Sequence, residues 1–171
     1  RSEILAKLTS SSFVDSAPAV PATLLSTFKT SIVTADIPAT LAVVQKLAGL
    51  GVGLTPAGDD FIMGALYAAW IIHPREVAGE LAEEIVKTAV PLTTSLSGAW
   101  IMSAGRGEAG QLWHEFFDAL MDGDESTVQL RMENILAVGE TSGADALAGF
   151  LSTVQAYMAS FSRNAATPST E

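Results

Sequence analysis

Three carboxylates stand at the starts of two apolar segments. Asp59 and Asp60 follow the run Gly49-Leu50-Gly51-Val52-Gly53-Leu54-Thr55-Pro56-Ala57-Gly58 and precede the almost wholly apolar Phe61 to Ile72. Asp145 follows Gly139-Glu140-Thr141-Ser142-Gly143-Ala144 and opens a second apolar run. A glycine-rich loop feeding a helix gathers free backbone N–H groups beside the positive end of the helix dipole. Such a place suits a phosphate, a carboxylate or the charge that develops on a carbonyl oxygen during acyl transfer. One carboxylate is enough to complement the dipole. A second, directed into an apolar domain, needs a partner of its own: a cation, a substrate N–H group or a buried arginine. Asp59, Asp60 and Asp145 are therefore the candidate catalytic groups. Gly51, Gly53, Thr55, Gly58, Thr141, Ser142 and Gly143 are the candidate binding positions around them.

Each of these residues also has a plainer use. Thr55 can cap the helix, with Pro56 at its first position. Ser142 with Asp145 three residues on fits a capping box, although Asp is shorter than the usual Glu or Gln. If the two loops meet, Asp59, Asp60, Glu140 and Asp145 form a carboxylate cluster able to take Mg²⁺ through a few oxygens and several waters. Thr93-Thr94-Ser95-Leu96-Ser97 offers hydroxyls that either cap a helix or grip an anion. Arg106, between Gly105 and Gly107, suits bidentate carboxylate or phosphate binding, and equally an ordinary surface role. His73 and His114 lack any triad or metal spacing and read as structural or solvated. The loop is no P-loop, because no lysine follows Gly58. It is no dinucleotide fingerprint either, because the residues before Gly49 read as helix, and the ligand pattern of an EF-hand is missing.

The elements that must position these groups read as helices throughout. Leu24–Lys29 suggests a short helix within an irregular lead-in over residues 1–36, rich in Ser, Ala and Pro at 9–21. A helical domain is expected over 37–162, with a polar tail at 163–171. Within it, helices are predicted at about 37–47 and 59–72, then after Pro74, after Thr94, over Leu112–Met121, after Asp124, and from Ala144 to Phe161. Val77, Leu81, Ile85 and Ala89 form one stripe, with Glu83 and Lys87 paired on the wet side. No convincing alternating strand exceeds four residues or so. The expected fold is all-α: a single globular domain of about seven helices with two glycine-rich helix-start loops.

Composition narrows the partners. The 171 residues carry nine basic and nineteen acidic side chains, a formal charge of -10, which argues against nucleic acid and against an anionic membrane surface. With no cysteine, disulfides, thiolate nucleophiles and zinc–thiolate sites are excluded. No signal peptide is apparent, and the longest apolar run is too short to span a bilayer. A cytoplasmic protein is the simplest expectation. With Arg1 rather than Met first, the sequence reads as a fragment or a processed product.

The pattern Gly49-x-Gly51-x-Gly53-Leu54-Thr55-Pro56-x-Gly58-Asp59-Asp60-Phe61, with Thr141-Ser142-Gly143-x-Asp145 and Gly149, resembles a bacterial family long labelled only as a domain of unknown function. That family includes the AllH-type subunit of oxamate carbamoyltransferase. The resemblance covers roughly residues 37–160. It implies a role in moving a carbamoyl group between oxalurate and phosphate, giving oxamate and carbamoyl phosphate. It also implies companion subunits and a further N-terminal domain. Two positions depart from the family pattern: Glu140 replaces a histidine and Ala57 a serine. Two functional expectations stand side by side. One is an enzyme subunit acting on a small anionic or amide metabolite; the other is a non-catalytic helical subunit that docks on partners, with Trp100 and Trp113 as contact residues, although core packing suits both of these better.

Overall fold

A computed structural model describes residues 22–165, and side chains from 23 to 161. The Ser/Ala/Pro-rich lead-in up to residue 21 and the end of the tail lie outside the described residues. Among the described residues eight α-helices follow one another: α1 (Ala22–Thr34), α2 (Ile37–Leu47), α3 (Ala57–Ile72), α4 (Arg75–Ala89), α5 (Ser95–Gly105), α6 (Gln111–Asp122), α7 (Glu125–Leu136) and α8 (Ser142–Ala165). No strand occurs among the described residues, so the chain is all-α. The short helix read at Leu24–Lys29 is in fact the full α1, whose Phe28 and Ile32 are completely buried.

The ends of these helices follow local chemistry. Asp36 caps α2 by accepting from the Ala39 N–H, and Asp124 caps α7 by accepting from Thr127. Thr94 caps α5 through the Ser97 N–H, a contact worth about 1 kcal/mol. Pro91 interrupts the chain after α4, leaving a single 3-10 turn at Val90–Leu92. The Gly105-Arg106-Gly107 segment closes α5. On α4 the buried stripe is Ala78, Leu81, Ala82, Ile85 and Ala89, while Val77 sits at its exposed edge. Lys87 pairs with both Glu83 and Glu84 at 2.8 Å on the wet side.

α3 is the centre of the molecule and packs most extensively on α8. Two glycines make that contact possible. A Cβ on Gly64 would collide with the Ala146 carbonyl of α8, and one on Gly149 with the Phe61 carbonyl of α3. Without side chains at those points the two backbones meet directly, which fixes one helix start relative to the other. Around this pair lies an aromatic cluster in which Tyr67 and Trp113 approach to 4.8 Å between centroids, with Phe116, Phe117 and Phe150 packed against Trp113. His73 bonds the Ile32 carbonyl at 2.8 Å and so ties the end of α3 to α1, while His114 is exposed.

Candidate functional site

The glycine run from 49 to 56 is held as a built loop. Asp59 Oδ1 accepts from the Gly49 N–H at 2.8 Å, and Oδ2 accepts from the Thr93 hydroxyl. Gly49 sits at φ +74, and a Cβ there would strike the Leu92 carbonyl, so a side chain is excluded on both counts. From the far side, Thr94 donates to the Leu54 carbonyl at 2.6 Å, with Ser97 near the same oxygen. The hydroxyls of the Thr93–Ser97 stretch therefore secure the loop and cap α5. Asp59 belongs to the same fastening.

Thr55 does not cap α3. That position is taken by Pro56, and the Thr55 hydroxyl reaches instead to Ser142 at the start of α8, 2.9 Å away. The two helix-start loops do meet, and this hydrogen bond joins them. Ser142 likewise departs from the capping-box expectation, because it is the first residue of α8 and its hydroxyl faces Thr55 and Asp60. Asp145 takes the capping partner one residue earlier, bonding the side chain of Thr141. Both Asp60 and Asp145 are buried, and burial raises both pKa values.

Asp60 is the singular group. Only 6% of it is exposed, and its Oδ2 has no hydrogen-bond partner. Loss of hydration pushes its pKa up to about 7; the Ser142 hydrogen bond opposes that rise, and the nearby Asp145 and Asp59 charges add to it. A carboxyl poised there exchanges a proton readily at neutral pH.

Asp60 lines a cavity of about 590 Å³. Thr55, Ser142 and Gly143 border its polar end, and Met63, Tyr67, Trp100 and Trp113 wall the rest. Gln111 stands beside them. The Tyr67 hydroxyl, its pKa pushed up to about 12 by burial, stays protonated at neutral pH. The wall has a partial signal in the sequence: Asp60, Met63 and Tyr67 lie three and four residues apart, on one face of α3. Trp100 and Trp113 had none, because an aromatic at helical spacing reads as core. Trp113 is indeed buried, but its ring also borders the cavity.

Gly143, on the border of the cavity, and Gly58, away from it, both permit close backbone packing, against the Ile135 and Leu47 carbonyls respectively. Gly51 lies against the Ala57 N–H, while Gly53 and Thr141 are exposed. Arg106 pairs with Glu108 at 2.7 Å on an exposed turn and does not line the cavity. The four-carboxylate cluster is not assembled: Asp59 is turned to the loop, Asp145 to Thr141, and Glu140 is exposed. Among the described residues no three acidic, histidine or cysteine side chains come together to hold a metal ion.

Fold and site together define an all-α domain whose cavity opens where the N-termini of two central helices converge on a single acid. Residues 47–154, well over half of the chain, match the family described as oxamate carbamoyltransferase subunit AllH, and the chain belongs to that family. That span runs from the end of α2 to the middle of α8 and so contains the whole cavity. No solved structure matches the chain. Among the described residues no helix is long and apolar enough to cross a membrane.

Proposed function

We propose that this chain is a subunit of a carbamoyltransferase-type enzyme and that its cavity holds the carboxylate or amide metabolite, oxalurate in one direction and oxamate in the other. The observation that carries this reading is the unpartnered, buried Oδ2 of Asp60 at the polar end of the cavity. Neutral Asp60 donates to a carbonyl or carboxylate oxygen, and its ionised form accepts from an amide N–H. The Thr55 and Ser142 hydroxyls and the dipoles of α3 and α8 favour negative charge at the same spot.

In the transfer a phosphate oxygen attacks the ureido carbonyl carbon of oxalurate. The new C–O bond forms, the C–N bond to the oxamate nitrogen breaks, and carbamoyl phosphate leaves. The phosphate loses one proton and the departing nitrogen gains one, so the step balances if Asp60 takes the first and returns the second. No Lys or Arg is among the residues that line this cavity, and the charge on phosphate is left to a companion subunit. The test is turnover of oxalurate and phosphate by the assembled enzyme carrying Asp60→Asn. A loss of about a hundredfold with the assembly intact is expected; unchanged turnover would reject the role.

The exposed side chains of Val52 (93%) and Leu54 (72%), on the loop that borders the cavity, favour a second reading. In it the same face docks on a partner and the chain itself catalyses nothing. Such a protein would assemble normally with Asp60→Asn and lose assembly with Val52→Asp.

A further inference from the structure

The cavity is larger and more apolar than the metabolites just named require. A space of about 590 Å³ exceeds what molecules as small as oxamate or oxalurate fill. Pockets of roughly 300–1,000 Å³ are the usual size for ligands with a substantial body. Asp60, Thr55 and Ser142 meet at one end, and Gln111 is the further polar side chain set among the aromatic ones. The far wall is aromatic: Tyr67 and Trp113 lie 4.8 Å apart, and Trp100, 49% exposed, stands on the lining of the same space. Water against such a wall is readily displaced by a flat apolar group, and aromatic faces add attraction through offset or edge contacts.

We propose that this cavity binds a compound with an amide or carboxyl head and a planar aromatic body, the head at Asp60 and Ser142 and the ring against the exposed Trp100 and the outer edge of the packed Tyr67–Trp113 pair. The inference rests on the reading of the cavity as a ligand site and goes further by naming the class of ligand. An amide offers one donor and one acceptor on the same edge. The free Oδ2 of the buried carboxyl accepts from an amide N–H when ionised or donates to a carbonyl oxygen when protonated, in a place where an unpaired polar group is costly. A head alone leaves the aromatic wall wet, and a ring alone leaves Oδ2 unpaired. Only the combination satisfies both ends.

The test is calorimetric titration of the full chain with benzamide, acetamide, benzene and oxamate, followed by benzamide against Trp100→Ala and Asp60→Asn. Benzamide is expected to bind at least tenfold more tightly than acetamide, benzene or oxamate. Trp100→Ala should weaken benzamide about tenfold and acetamide, which has no ring, far less; the half-exposed position makes this variant safe for folding. Equal or tighter binding of oxamate or acetamide, or benzamide binding indifferent to Trp100→Ala, overturns the proposal. Turnover of oxalurate by the assembled enzyme is measured alongside. Turnover without benzamide binding rejects the ligand class and keeps the enzyme reading; benzamide binding without turnover does the reverse.

Discussion

Asp59 and Asp60 are neighbours on the first turn of α3, and they have opposite fates. Asp59 faces the glycine loop, where both its oxygens accept hydrogen bonds, from the Gly49 N–H and the Thr93 hydroxyl. Asp60 faces the cavity, where one oxygen has no partner and burial lifts the pKa to about 7. The same residue type in the same helical turn thus fastens the loop on one side and presents an unpartnered carboxyl oxygen to the cavity on the other. A helix dipole acts on both alike, so the difference comes from what the rest of the chain brings to each face. An acid with its partners supplied is structure, and an acid without them is chemistry in waiting.

The comparison is broken most severely from the loop side. Asp59→Ala leaves two donors unpaired and should cost about 3 kcal/mol in chemical denaturation, because the Gly49 N–H and the Thr93 hydroxyl both lose their acceptor. If stability is unchanged, the loop is held by something else. Next comes the cavity side, where Asp60→Asn should lower turnover about a hundredfold while stability rises or holds.

Asp60 should also show itself in the pH dependence of stability. The folded-state pKa of Asp60 is raised from 3.8 to about 7, so the native state holds its proton more tightly than the unfolded chain does. The stability this contributes is full below about pH 4 and is lost as the pH rises through 7. Thermal melts should therefore show Asp60→Asn gaining on the parent by several degrees at pH 8 and by little at pH 4. A difference that does not change with pH would mean that Asp60 titrates normally. Thr55→Val removes a single hydroxyl contact between the loops and should cost about 1 kcal/mol, with a loss of oxamate binding of about tenfold. The smallest effect belongs to Arg106→Ala, whose side chain is occupied by Glu108 away from the cavity. Oxamate binding should not change; a clear loss would bring Arg106 back as a carboxylate partner.

Much of the fold is legible in local spacing. The bounds of α2, the stop at Gly123, the cap at Asp124 and the pairing of Lys87 with Glu83 each depend on residues within a few positions of one another. The full length of α1 was not legible, because its Ser and Thr residues mask a helix whose Phe28 and Ile32 are stabilised by burial against other elements. Thr55 misleads for a related reason. Before Pro56 it has the makings of a cap, yet a hydroxyl partner from the far loop takes it.

By itself the sequence determined an all-α chain, two glycine-rich helix starts, three acids placed at them and a family signature spread across both. These follow from periodicity, capping preference and the conformational range of glycine, all of which act over one or two turns. Only the tertiary structure decided that the two starts touch, that Asp59 is satisfied and Asp60 is not, and that aromatic side chains from α3, α5 and α6 wall the space between them. The Thr55–Ser142 contact joins residues 87 positions apart, and the close passage of α3 over α8 at Gly64 and Gly149 sets it. Whether a buried carboxyl finds a partner depends on such distant neighbours, because burial and hydrogen bonding are properties of the packed chain.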